Sequence, residues 1–252
     1  MLQLRGVSLA FGGLAALRAV DLDVAERTIV GLVGPNGAGK TSLFNCISGA
    51  YVPTEGSITL GGVDLLALPV HRIAATGVAR TFQHPVLLPE QTVLESVLVG
   101  AHPHLRAPAV AHALGLRSAR REERELRAAA LEVLDRLAIA EVADVRTGDL
   151  PHGTQKRVEI ARALLLRPRL VLLDEPASGL THSEVDELGA VIRSLRDALE
   201  LTVVLVEHHM GLVSTVTDKV VALVEGRKVA EGSAAQVQRD PTVVAAYLGT
   251  AA

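Results

Sequence analysis

This chain of 252 residues is poor in sulfur and in aromatic side chains: it has one cysteine, three phenylalanines, two tyrosines and no tryptophan. Cys46 has no partner for an internal disulfide, which suits a reducing compartment and leaves it the role of a small buried residue. Although hydrophobic residues make up 49% of the chain, no stretch of about 18 continuous apolar residues is available to cross a bilayer. The amino terminus lacks a basic region followed by a long apolar run, so export by a signal peptide is not expected. Neither sign of charge dominates. A formal net charge of -3 gives no general attraction to nucleic acid. The length suits one large domain, with or without a subdomain.

What the chain does have is the octapeptide Gly34-Pro35-Asn36-Gly37-Ala38-Gly39-Lys40-Thr41, set between an apolar run, Thr28 to Val33, and a helix-like run, Ser42 to Ser48. Strand, G-x-x-x-x-G-K-[ST] loop and helix in that order form a site for a nucleoside triphosphate. Glycines let successive N–H groups turn toward phosphate oxygens, and the helix that follows adds its positive end. Lys40 can reach the β- and γ-phosphates, and the Thr41 hydroxyl can ligate Mg2+. The ATP-binding candidates are these eight residues together with Ser42.

Further apolar runs at Leu170–Leu173, 201–206 and 220–224 read as buried parallel strands, and Leu2 to Val24 as short strands around Phe11-Gly12-Gly13. Between Pro103 and Leu150 strands vanish and helical spacing takes over, predicting an inserted helical subdomain. The mixed-sign run from Arg117 to Glu125 is expected to be a solvated helix face. The strand Leu170–Leu173 delivers two acids, Asp174 and Glu175, at the end where open α/β sheets bind ligands. Asp174 can hold Mg2+, and Glu175 is placed to take a proton from a water attacking the γ-phosphate. The strand at 201–206 ends in Glu207-His208-His209, where His208 can hydrogen-bond the γ-phosphate or that water.

These residues resemble the nucleotide-binding subunits of ABC transporters. The resemblance implies an α/β, P-loop NTPase fold with a mostly parallel core sheet, an N-terminal antiparallel β-subdomain and an inserted helical subdomain. It spans the whole chain as one nucleotide-binding domain: residues 1–102 and 151–252 form the catalytic core, and about 103–168 form the helical subdomain, signature helix included. By the same resemblance Gln83 is the glutamine that contacts Mg2+ and water, so the catalytic set is Glu175, His208 and Gln83, and the metal set Thr41, Gln83 and Asp174. Phe11 matches the aromatic that stacks on adenine. Pro151, His152, Gly153, Thr154 and Gln155 occupy the signature loop that meets a partner's ATP, just before a helix expected at 158–166. Ala177 to Thr181 match the D-loop.

The importer branch for branched-chain amino acids is the closer match, through Leu87-Leu88-Pro89, Thr92 to Val97, Val158 to Leu164 and the ending Ala246-Tyr247-Leu248-Gly249. It implies ATP and Mg2+ as cofactors, a homodimer or a heterodimer with a homologous ATPase subunit, transmembrane permease subunits, indirectly a solute-binding protein, no nucleic acid, and a peripheral place on the cytoplasmic face of the inner membrane. Val86, Leu87 and Leu88 are expected either to receive a helix of the membrane subunit or to form subdomain core. The chain departs from the family at Pro151-His152, where Ser-Gly is usual, at Thr181, where the D-loop has aspartate, and at His209. The alternatives are an ABC ATPase acting on a non-transport target, a nucleotide-gated module that does not hydrolyse, and a P-loop kinase. The first lacks its coiled-coil or zinc insertion, Glu175 and His208 speak against the second, and the third leaves the signature helix unexplained.

Overall fold

The computed structural model describes residues 1–83, 86–105, 108, 111, 114 and 116–248. In chain order the first elements are β1 (Leu2–Phe11), β2 (Leu14–Val24), β3 (Ile29–Val33), α1 (Lys40–Ile47), β4 (Glu55–Leu60), β5 (Val63–Asp64), α2 (Val70–Ile73) and β6 (Val78–Arg80). Three helices follow, α3 (Val93–Leu98), α4 (Arg117–Arg136) and α5 (His152–Leu165). The last stretch holds β7 (Leu170–Asp174), α6 (His182–Leu199), β8 (Thr202–Val206), α7 (Met210–Val216), β9 (Lys219–Val224), β10 (Arg227–Gly232), α8 (Ala234–Arg239) and α9 (Pro241–Leu248). Two compact units result, one made of Met1–Arg80 with Arg169–Ala252, the other of Thr81–Pro168.

The first unit carries two sheets. Every residue of β3, β7 and β8 is buried, as expected of strands covered on both faces, and they pair in parallel in a six-stranded sheet of order β10-β9-β3-β8-β7-β6. Only the β10–β9 pairing is antiparallel. The second sheet, β2-β1-β4-β5, is antiparallel, and its core face is built by opposed pairs such as Leu2 with Val24, Leu4 with Leu22 and Leu9 with Leu17. β1 and β2 are long, 10 and 11 residues, where the sequence predicts short strands. A register shift between Leu4 and Val7, at Gly6 with φ 58, absorbs the irregularity that would otherwise end the ladder. Gly12 and Gly13, both at positive φ, close the two-residue hairpin.

The second unit is helical. Thr92 and Glu95 form a reciprocal capping box at the start of α3, and α3 packs on α5 and α4. This unit begins at Thr81, not near 103. The N–H groups of Val93 and Leu94 donate to the carbonyls of Val145 and Ala143, so backbone bonds with no sequence signature tie the earlier segment in. α5 starts at His152, six residues before the predicted onset, because Pro151 at φ -56, ψ 149 ends the extended approach and nothing after it breaks a helix. The Arg117–Glu125 run lies on α4 with an exposed Arg121–Glu125 pair, as predicted. Among the described residues no helix is long and apolar enough to cross a membrane.

Cys46 is buried on α1, and burial pushes its thiol up to about 11. An alkylating reagent at about pH 8 should therefore leave the native protein unmodified while labelling it fully in denaturant. Rapid labelling of the native chain would contradict this burial.

Candidate active site

Backbone register decides where the chemistry can sit. Leu32 of β3 and Asp174 of β7 are both paired with Val206 of β8, so β7 and β8 finish on the rung that β3 passes one residue before its end. Gly34, Glu175 and Glu207 follow within two residues of it. At Gly34, φ is 147 and a Cβ would lie 2.1 Å from the Leu223 carbonyl oxygen of β9, so only glycine passes there. At Gly39, φ is 98 and a Cβ would meet the Ala16 oxygen of β2 at 2.6 Å. The loop is thus threaded between β9 and the β1–β2 hairpin, and α1 opens at Lys40 with its first-turn N–H groups lacking intrahelical acceptors.

Lys40 is 6% exposed, and its ammonium folds back to donate to the carbonyls of Gly34 (2.7 Å) and Pro35 (3.0 Å). Burial pulls it below the usual lysine range, against the opposing pull of the Glu175 and Asp174 carboxylates. Asp174 Oδ2 accepts from Arg80 Nη2 at 2.9 Å in a buried pair, and Arg80 also donates to Asn45 Oδ1 and Ser48 Oγ on α1 and just beyond it.

Glu175 takes φ 46, a left-handed conformation costing about 1–3 kcal/mol in a residue with a Cβ, and unusual before a proline. Its N–H still reaches Val206 O at 2.9 Å. Its Oε1 lies 2.7 Å from His208 Nε2, so the structure joins these two predicted residues directly. His209 does something else: its Nδ1 caps α7 by accepting from Leu212 N–H. Thr181 likewise caps α6 in a box with Glu184, which gives the residue at the aspartate position a local structural role.

Glu207 carries no role in the sequence reading, yet it organises these turns. It is 3% exposed; Oε1 accepts from Ala177 N–H (2.7 Å) in the D-loop, and Oε2 from His208 N–H (3.0 Å) and His209 N–H (3.2 Å). Burial raises its carboxyl pKa against these three donors, which lower it. A charged residue directly after an all-apolar strand is the signal that could have found it. Arg80, the lone basic residue ending β6, could have been found the same way.

Phe11 ends β1, is exposed, and meets Tyr51 edge-on at 5.1 Å, so it is not a core residue. The other predicted site residues, Gln83 and Pro151 to Gln155, belong to the helical unit. There three side chains one turn apart on α5 hold the segment around Gln83. Lys156 donates to the Gln83 carbonyl, buried Glu159 accepts from Phe82 N–H at 3.1 Å, and Arg162 donates to Val86 O at 2.6 Å. Burial pushes the Glu159 carboxyl up, opposed by the Phe82 amide and the Arg162 and Lys156 charges. Pro151 is the N-cap of α5 and Gly153 its second residue, while the Gln155 amide turns back to donate to Thr147 O and Leu150 O. His84 and Pro85 lie outside the described residues, as does Gly249; Val86 and Leu88 are exposed and Leu87 is half-buried.

Residues 17–178 match the ABC transporter family, and residues 227–252 match a family described as a branched-chain amino acid ATP-binding cassette transporter. The chain belongs to the ABC transporter family. It is 43% identical over 251 residues to the high-affinity branched-chain amino acid transport ATP-binding protein BraF of Pseudomonas aeruginosa, covering 100% of this chain and 98% of that one. Identity to the corresponding protein LivG of Escherichia coli K12 is 41% over the same coverage. Among solved structures, a nucleotide-free ATP-binding cassette from an ABC transporter superposes with a TM-score of 0.87 at 29% identity, covering 99% of each chain. A dimeric bacterial ABC transporter cassette gives 0.78 at 26% identity, covering 93% of this chain and 99% of that one. This ABC protein is accordingly an ATP-binding subunit and an ATPase coupled to transport.

Replacing Glu207 with Gln keeps the shape but sets an NH2 against at least one buried N–H donor. Glu207→Gln should lower unfolding stability by about 1–3 kcal/mol in denaturant titrations. An unchanged midpoint would show that the three contacts do not hold the two turns together.

Proposed function

We propose that this chain is the ATP-hydrolysing subunit that energises an importer of branched-chain or other amino acids. The observation carrying it is the 2.7 Å contact of Glu175 with His208, one and two residues beyond the rung that aligns β3, β7 and β8. The names of the full-length relatives support the amino acid class.

In this reading the loop from Gly34 to Ser42 cradles the phosphates, its amides from Asn36 onward donating to their oxygens, and Lys40 exchanges its two loop carbonyls for β- and γ-phosphate oxygens. Glu175 takes a proton from water as the water oxygen attacks the γ-phosphorus; the bond to the bridging oxygen breaks, leaving ADP and phosphate. His208 orients the water and the γ-phosphate, and Phe11 stacks on adenine. Asp174 and Thr41 offer only oxygen donors, which fits a hard Mg2+ ion that takes one or two carboxylates with substrate phosphates. Among the described residues no cluster of three His, Cys, Asp or Glu side chains could hold a metal alone, which agrees with a site completed by the triphosphate. When bound, Mg2+ supplies positive charge to the developing phosphate oxygens.

Pro151 to Gln155 meet the ATP of a second ATPase subunit, identical or homologous. There the first-turn N–H groups of α5, Gly153 among them, replace the missing serine hydroxyl as donors. Exposed Val86 and Leu88 favour docking of a permease helix over subdomain core. The chain works at the cytoplasmic face of the inner membrane, with permease subunits and, through them, a solute-binding protein.

Glu175→Gln should retain ATP affinity, cut hydrolysis by about 100-fold or more and trap an ATP-bound dimer. Cells carrying only this variant should lose uptake of labelled leucine. Normal turnover would remove Glu175 as the base; lost turnover with normal uptake would remove the importer assignment.

A further inference from the structure

Tyr247 stands near the carboxyl end of α9, far in sequence from every residue of the ATP site. Its phenol oxygen nonetheless accepts a 2.9 Å hydrogen bond from the backbone N–H of Gly34, the first residue of the phosphate loop. The Gly34 carbonyl is in turn held by Lys40 Nζ at 2.7 Å. The peptide groups on the two sides of Gly34 are therefore gripped by different elements, α9 before it and α1 after it.

Packing does not account for the position of this hydroxyl. Val243 is the buried residue of α9, the Tyr247 ring is half-exposed, and Leu248 beyond it is 81% exposed. A cavity of about 260 Å3 lined by Val33, Val243 and Tyr247, among others, leaves the ring room to sit elsewhere. Burial raises the phenol pKa above its usual value, against the Gly34 amide, which lowers it.

We propose that Tyr247 is a positioning residue for ATP: by fixing the Gly34 N–H sideways, it sets the phosphate loop in its binding form before nucleotide arrives. The inference rests on ATP occupying that loop. A glycine at φ 147 has wide backbone freedom, and removing that freedom in advance lowers the ordering cost of binding. The gain applies equally to bound ATP and to the transition state, so it belongs in KM and not in kcat.

Tyr247→Phe removes only the hydroxyl. It should raise KM and Kd for ATP by about 3- to 10-fold, the scale of one hydrogen bond, with kcat held within about twofold. The melting temperature without nucleotide should stay unchanged, while amide exchange at Gly34 accelerates. An unchanged KM overturns the proposal. So does a joint fall of kcat, affinity and melting temperature, which would make the contact a general prop of the fold. A native chain that binds no ATP would sink the ATPase reading itself, an outcome distinct from a native chain and Tyr247→Phe that bind ATP alike.

Discussion

The alignment of three strand ends is the constraint on which the chemistry depends. Leu32, Val206 and Asp174 share a rung because β3, β8 and β7 pair in parallel without a register shift. One residue of slip in any of them would turn each side chain to the opposite face and carry the loop, the acid pair or the histidine away from the others. The complete burial of the three largely apolar strands makes such a slip costly, since the burial that drives the sheet together also holds its register.

Beyond that rung the polar groups are partnered. Asp174 has Arg80, Lys40 has two loop carbonyls, Glu175 has His208, and Glu207 has three amides. An unpaired buried charge would be expensive, so these contacts are what let the site exist without nucleotide. Under the proposed function, binding of a triphosphate is an exchange of partners, in which Lys40 releases the Gly34 and Pro35 carbonyls and takes up phosphate oxygens. Such an exchange moves charge without first having to strip it of water. The left-handed Glu175 is the one strained element in this set, and its strain is held by the Val206 bond on one side and the His208 contact on the other.

Much of this was legible in the sequence, because phosphate loops and strand-end acids leave patterns within a few residues. Gly34 to Thr41, Asp174, Glu175 and His208 are singled out that way as candidates, and the parallel sheet follows from unbroken apolar runs. Contacts between distant segments leave no such pattern. Glu207 reaching the D-loop, Arg80 reaching Asp174 and Lys156 reaching Gln83 each depend on two segments meeting in space. The same cause hid the start of the helical unit at Thr81, which rests on backbone bonds to 143–145. The early onset of α5 was hidden differently: a family loop pattern suggested a loop, while Pro151 and the residues after it obey ordinary helix-start chemistry.

If the rung-aligned cluster is an ATP-hydrolysing centre, its ammonium must be indispensable, since it is the cation that the phosphate loop itself brings to the phosphates. The direct test is nucleotide affinity and ATPase rate of Lys40→Ala, with circular dichroism to establish that the variant is folded. Loss of both tight ATP binding and hydrolysis is the predicted result. A folded variant that binds and hydrolyses ATP as the native chain does would contradict the assignment of this loop, and with it the catalytic roles of the residues gathered around it.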